Sequence, residues 1–139
     1  MSIQGQYKNS KIAIVGMGYV GLPLAIEFGK KHNVVGYDIN VDRIKELKEC
    51  FDATGEITFE EFKNSKNLTF SSSSLDIMNA DIYIVTVPTP VDANKNPDLQ
   101  PLVKASRLIG KNLTIDNVVI YESTVFPGAT EEICVPVLE

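Results

Sequence analysis

The sequence predicts an α/β fold, a doubly wound parallel sheet of strand order 3-2-1-4-5, and three observations predict it. Apolar runs bounded by turn residues alternate with segments of helical spacing along the whole chain. The runs are continuous rather than alternately apolar and polar, as strands covered on both faces require. Three glycines lie between the first run and the first helical segment, where a buried strand must turn sharply into its crossover helix.

The first strand is "KIAIV", residues 11–15. Residues 20–31 follow as an amphipathic helix, with Pro23 in the first turn, where a missing N–H leaves no bond unmade. "NVVGYD", residues 33–38, is the second strand and closes on Asp38. Val41, Ile44, Leu47 and Lys48 share one helical face, so residues 41–50 form the second helix. Residues 51–67 read as a helix plus a loop to which no role can be attached. A short third strand covers residues 68–71, and the run "SSSS" ends it and caps the next helical turn. "ADIYIVTVP", residues 80–88, is the fourth strand, rich in β-branched residues and stopped by proline. A loop of Pro, Asn and Asp leads to a helix over residues 99–113 and a fifth strand over residues 117–123. Right-handed crossovers then put the reversal of winding between strands 1 and 4, with a ligand crevice outside their carboxyl ends.

Bulk properties narrow the class. The chain has 139 residues, 44% of them hydrophobic, enough for one domain that buries about 68–70% of its unfolded surface. That domain is expected over residues 11–139, behind a short N-terminal extension of residues 1–10. The net charge of -5 and the scatter of basic residues argue against nucleic acid or an anionic membrane as partner. No apolar run approaches the roughly 20 residues of a bilayer span, and "MSIQGQYKNS" lacks the apolar core of a signal peptide. A cytoplasmic protein is the expectation. Cys50 and Cys134 have neither paired spacing nor a companion ligand cluster, so no disulfide and no metal site is predicted. Cys134 reads as a small core residue and His32 as a helix-end residue.

The glycines carry the chemistry. Gly16, Gly18 and Gly21 have dinucleotide-binding spacing between a strand and a helix, the entry of a Rossmann fold. Gly16 would allow the tight turn, Gly18 the approach of a pyrophosphate, and Gly21 the close packing of helix on sheet. The amides at the helix start, those of Tyr19 and Val20 included, then face the phosphates with the helix dipole behind them. Asp38 closes the second strand about 20 residues on, where an acid accepts from the adenosine ribose hydroxyls. Its charge also favours NAD, because a 2′-phosphate at 4 Å would be repelled by about 4 kcal/mol per charge pair at an effective dielectric of 20. Arg43 is either a solvated helix charge or a contact to the adenosine end, by stacking on adenine or by pairing with a phosphate. Thr89 and Thr124 follow strands 4 and 5 beside prolines; each is either a turn residue or a hydroxyl for the ribose or nicotinamide.

Four blocks, "IAIVGMGYVGLPLA", "VTVPTP", "NPDLQPL" and "VVIYESTVFPGATEEICVPVLE", together resemble the N-terminal domain of the UDP-glucose/GDP-mannose dehydrogenase family. "PTPVDANKNPDL" and "YESTVFPG" look most like the branch acting on UDP-N-acetylhexosamines, such as UDP-N-acetylglucosamine or UDP-N-acetylgalactosamine. The resemblance implies NAD contacts at Val20, Asp38, Arg43, Thr89 and Thr124. It also implies a four-electron oxidation of the sugar C6 alcohol to a uronate by two NAD in succession, through a thioester on a cysteine, in an enzyme that usually pairs as a homodimer. That cysteine belongs to a later segment than these residues, so no catalytic residue is expected in this chain. "GATEEICVPVLE" opens like a helix capped by Thr130 and stops at Glu139, and a six-stranded domain needs another strand. The expectation is the cofactor half of a longer enzyme, able to bind NAD weakly and unable to turn over a nucleotide sugar alone. Two other classes share the glycine loop: an NAD-dependent dehydrogenase of the hydroxy-acid type, and an NAD-binding regulatory module without chemistry.

Overall fold

The computed structural model describes residues 9–91, 93–122 and 134–138. Five parallel strands form one sheet in the order β3-β2-β1-β4-β5. They are β1 (Lys11–Val15), β2 (Asn33–Tyr37), β3 (Leu68–Ser71), β4 (Ile82–Val85) and β5 (Val118–Tyr121). The helices are α1 (Gly21–Phe28), α2 (Val41–Lys48), α3 (Phe59–Asn64), α4 (Gln100–Gly110) and α5 (Val135–Leu138), with a 3-10 turn at Ser74–Ile77. The predicted strand order is the observed one.

Two apolar clusters follow from the alternation of side chains across the sheet. Ala13, Val15, Tyr83 and Val85 pack with Leu102, Ala105 and Ile109 of α4, and the fully buried Cys134 joins them. Ile12, Ile14 and Ile84 pack with Leu22 and Ile26 of α1 and Ile44 and Leu47 of α2. Both faces of β1 and β4 are therefore covered, which is why their sequences show no polar alternation. Ser106 and Tyr121 share a 2.7 Å hydroxyl contact that joins α4 to β5. Burial pushes the Tyr121 phenol up to about 12, so it stays neutral there.

The elements end earlier than residue patterning predicts, for local reasons. α1 stops at Phe28, followed by Gly29, which lies so close to Leu68 and Ser65 that a Cβ there would overlap both. α2 stops at Lys48 and the chain turns through Cys50 at φ 59°. Ala80 is used by the turn before β4, its N–H donating to the Ile77 carbonyl at 3.3 Å. Beyond Val85 the neighbouring strand has already turned away at Gly16, although the Thr86 N–H still reaches the Val15 carbonyl at 2.9 Å. The caps match expectation: the Ser73 side chain accepts from the Leu75 N–H after β3. Ser123, Thr124 and Thr130 lie outside the described residues.

Residues 51–67, without a role in the sequence, resolve into two pieces. α3 begins with a capping box in which Thr58 and Glu61 bond each other's backbone N–H. The preceding loop wraps around one carboxylate. Asp52 accepts from the Thr54 N–H (3.0 Å), the Thr54 hydroxyl (2.8 Å), the Glu56 N–H (3.0 Å) and the Ile57 N–H (3.1 Å). Burial pushes the Asp52 carboxyl up, but the hydrogen bonds from Thr54, Arg43 and Ile57 outweigh it and hold the group below its ordinary 3.8. A carboxylate lowered on folding stabilises the folded state fully above its ordinary pKa, and that contribution is lost as pH falls below it. Melting temperature should accordingly fall below about pH 4 with a shallower slope in Asp52→Asn than in wild type; equal slopes in acid melts would contradict this.

Candidate functional site

The turn from β1 into α1 is built by two of the three glycines. Gly16 adopts φ +108°, and a Cβ there would lie 2.9 Å from the Thr86 carbonyl carbon and the Val87 nitrogen. A Cβ on Gly21 would overlap the Gly16 carbonyl oxygen and the Thr86 Oγ1. Gly18 differs from both: among the described residues, its chain neighbours aside, nothing lies within 4 Å of the place its Cβ would take. Among the described residues no atom requires glycine at position 18, and the space it leaves is open.

Thr86 locks this turn, a role that sequence reasoning missed. It is buried, and its hydroxyl donates to the Gly16 carbonyl at 2.7 Å with the Val15 carbonyl at 3.1 Å. The only signal for it was its place at the end of the fourth strand; the partner lies 70 residues away in sequence.

Met17, between the first two glycines, is held by both its backbone groups. Its N–H donates to Asp38 Oδ2 at 2.8 Å, and its carbonyl accepts from Arg43 Nε at 2.9 Å. Its side chain is fully buried. Asp38 also accepts from the Asn40 N–H at 2.9 Å through Oδ1, so each carboxylate oxygen keeps a second lone pair for a ligand hydroxyl. The Asn40 side chain caps α2 by accepting from the Arg43 N–H at 3.1 Å. The end of β2, the start of α2 and the glycine turn are thus one hydrogen-bonded unit.

A cleft of about 1110 Å³ opens on this unit. Gly16, Gly18, Tyr19, Val20, Asp38, Arg43 and Thr89 all line it, which brings together every predicted site residue except Gly21, which packs the turn, and Thr124. α4 contributes Lys104 and Arg107 to the lining, exposed cations that the sequence reading did not single out; their i, i+3 spacing was the available signal. Tyr19, Val20 and Ile39 stand 71%, 50% and 79% exposed in it, apolar surface gathered along one cleft and available to a ligand.

These residues fit a dinucleotide. Among the described residues no group accepts from the amides of Gly18, Tyr19 or Val20, and they precede the N-terminus of an eight-residue helix, a ready site for phosphate. Arg43 is more constrained than either sequence reading allowed. Its side chain is 11% exposed, and its Nη1 pairs with Asp52 at 2.9 Å and Glu46 at 3.4 Å. Nε is spent on Met17, so a free fork for a phosphate does not remain; Nη2 is buried and has no partner among the described residues. Among the described residues no cluster of His, Cys, Asp or Glu is suited to hold a metal.

Comparison with known proteins gives the same reading from a separate direction. A sequence profile described as the UDP-glucose/GDP-mannose dehydrogenase family, NAD binding domain, matches residues 10–139. The chain belongs to this family. Among relatives, UDP-N-acetyl-D-glucosamine 6-dehydrogenase of Pseudomonas aeruginosa is 58% identical over 132 residues, covering 95% of this chain and 31% of its own. Protein CapL of Staphylococcus aureus is 56% identical, covering 94% and 31%. Among solved structures, the UDP-D-ManNAc dehydrogenase of Pyrococcus horikoshii superposes with a TM-score of 0.83 at 32% identity, over 91% of this chain and 31% of its own. The chain spans about a third of the length of the family members it matches. It is an NAD-binding domain of the family, and NAD is its cofactor.

Proposed function

We propose that this domain holds NAD for a nucleotide-sugar 6-dehydrogenase, an enzyme that oxidises the C6 alcohol of a UDP-N-acetylhexosamine to the uronate. The observation that carries the binding half is the turn at Gly18, where open space, acceptor-free amides and Asp38 converge on one cleft. The sugar rests on the 58% identity to a protein named for UDP-N-acetyl-D-glucosamine.

In this reading the amides of Gly18, Tyr19 and Val20 hold the pyrophosphate, and Asp38 accepts from the adenosine ribose hydroxyls. Arg43 presents a fixed guanidinium face to the adenosine end, and Thr89 and Thr124 serve the ribose and nicotinamide end. Bound NAD supplies the acceptor for hydride. No residue of this chain is assigned to the bond-breaking step. The same reading carries a cytoplasmic homodimer without nucleic-acid or membrane partners. Among the described residues no helix is long and apolar enough to cross a membrane.

Calorimetry of this chain should show NAD binding, with no NAD reduction when UDP-N-acetylglucosamine is added. The full-length gene product should reduce about two NAD per sugar, two being the stoichiometry of an alcohol-to-acid oxidation. NAD reduction by a full-length product with a 2-hydroxy acid instead, or by neither substrate, would favour the hydroxy-acid or regulatory alternatives.

A further inference from the structure

Asp52 lies outside the cleft lining, yet its carboxylate is tied into the cleft through a single side chain. It is fully buried and surrounded by donors from residues 54–57, and the donor that comes from elsewhere is Arg43 Nη1 at 2.9 Å. Arg43 in turn holds the Met17 carbonyl, and Met17 holds Asp38. Glu46 reinforces the link, accepting from Arg43 Nη1 at 3.4 Å and from the Ala53 N–H at 3.0 Å. A continuous chain of hydrogen bonds therefore runs from the loop at residues 52–57 through Arg43 and Met17 to Asp38, all three of which line the cleft.

Resting on the NAD reading above, we propose that Asp52 is a positioning and specificity residue that fixes Arg43 against the glycine turn and neutralises it, so that the site favours NAD over NADP. An arginine near the end of the second strand is the residue type that accommodates a 2′-phosphate in NADP sites. Arg43 is placed for that role and prevented from it. Two of its three nitrogens are committed to protein acceptors, and its charge faces the carboxylates of Asp52 and Glu46. With Asp38 and Asp42 also lining the cleft, this end of the site presents a surplus of negative charge. A guanidinium held at two nitrogens also cannot swing, so the flat face it offers is set before the cofactor arrives.

The test is a calorimetric titration of NAD and NADP into wild type, Asp52→Asn, Arg43→Met and the double variant. Asp52→Asn should weaken NAD about tenfold and shift the NAD to NADP affinity ratio toward NADP by about tenfold, because Arg43 loses the carboxylate that holds and neutralises it. In the Arg43→Met background the same change should have little further effect, since Asp52 acts through that side chain. Equal weakening of both cofactors by Asp52→Asn, or full additivity in the double variant, would overturn the proposal. If wild type binds no NAD, it is the underlying cofactor reading that fails instead. Thr54→Val leaves both charges in place and covers the case in which Asp52→Asn does not fold. It should weaken NAD about threefold, and unchanged affinity in a folded Thr54→Val chain would equally overturn the proposal.

Discussion

Gly21→Ala is expected to destabilise the chain by about 3 kcal/mol, whereas Gly18→Ala should leave the melting temperature nearly unchanged and weaken NAD at least about tenfold. The same methyl group is added in both cases, and the surroundings decide its effect. At Gly21 the new carbon meets the Gly16 carbonyl oxygen and the Thr86 hydroxyl. Neither can retreat, because Gly16 is bonded to Tyr37 through its N–H at 2.8 Å and Thr86 to Val15 through its own at 2.9 Å. Overpacking against fixed backbone belongs among the costly mechanisms of destabilisation. At Gly18 the methyl meets no atom of the described residues, and the backbone there lies outside the left-handed region. Its stability effect should stay within about 0.5 kcal/mol. What it fills is the space over the turn, where a pyrophosphate must come within hydrogen-bonding distance of the amides. Thermal melts and calorimetry on the two variants read this directly; a Gly18→Ala chain that binds NAD like wild type would remove the argument for the phosphate site.

The spacing of the glycines already assigned these two roles, whereas the limits of the sequence reading elsewhere have physical causes. Five strands and their order were legible because continuous apolar runs leave a parallel sheet as the way to bury them, and crossover handedness then restricts the topology. The convergence of the glycine turn with Asp38 was legible because both lie at carboxyl ends of adjacent strands. The contacts that fix Arg43 were not. Helical position places it five residues beyond Asp38, but its partner Asp52 sits past a left-handed turn at Cys50, in a loop with no periodicity to read. Such loops are organised by amides converging on one carboxylate, a pattern in which the backbone carries the information and residue types little of it. Thr86 escaped for a related reason: its hydroxyl acts across a strand pair that exists only after the sheet has formed.

Replacing Asp38 should have the largest effect on cofactor choice. In Asp38→Ala, NAD affinity is expected to fall about 100-fold, the loss of two hydrogen bonds to a charged acceptor at roughly 1.5 kcal/mol each. Part of that loss is indirect, because Asp38 also holds the N–H groups of Met17 and Asn40, and freeing them loosens the turn that carries the phosphate amides. Loosening of that kind penalises NAD and NADP alike. The charge term does not: removing the carboxylate relieves NADP of a repulsion of about 4 kcal/mol at 4 Å and an effective dielectric of 20, and gives NAD no such relief. For NADP the two effects oppose each other, while NAD feels the loosening and the lost hydrogen bonds with no relief, so the affinity ratio should move toward NADP even while NAD binding weakens. Titrating both cofactors into wild type and Asp38→Ala separates the contributions. The direct role of the carboxylate at the ribose would be refuted by a ratio that stays fixed as both affinities fall, since loss of turn geometry alone would then account for everything observed.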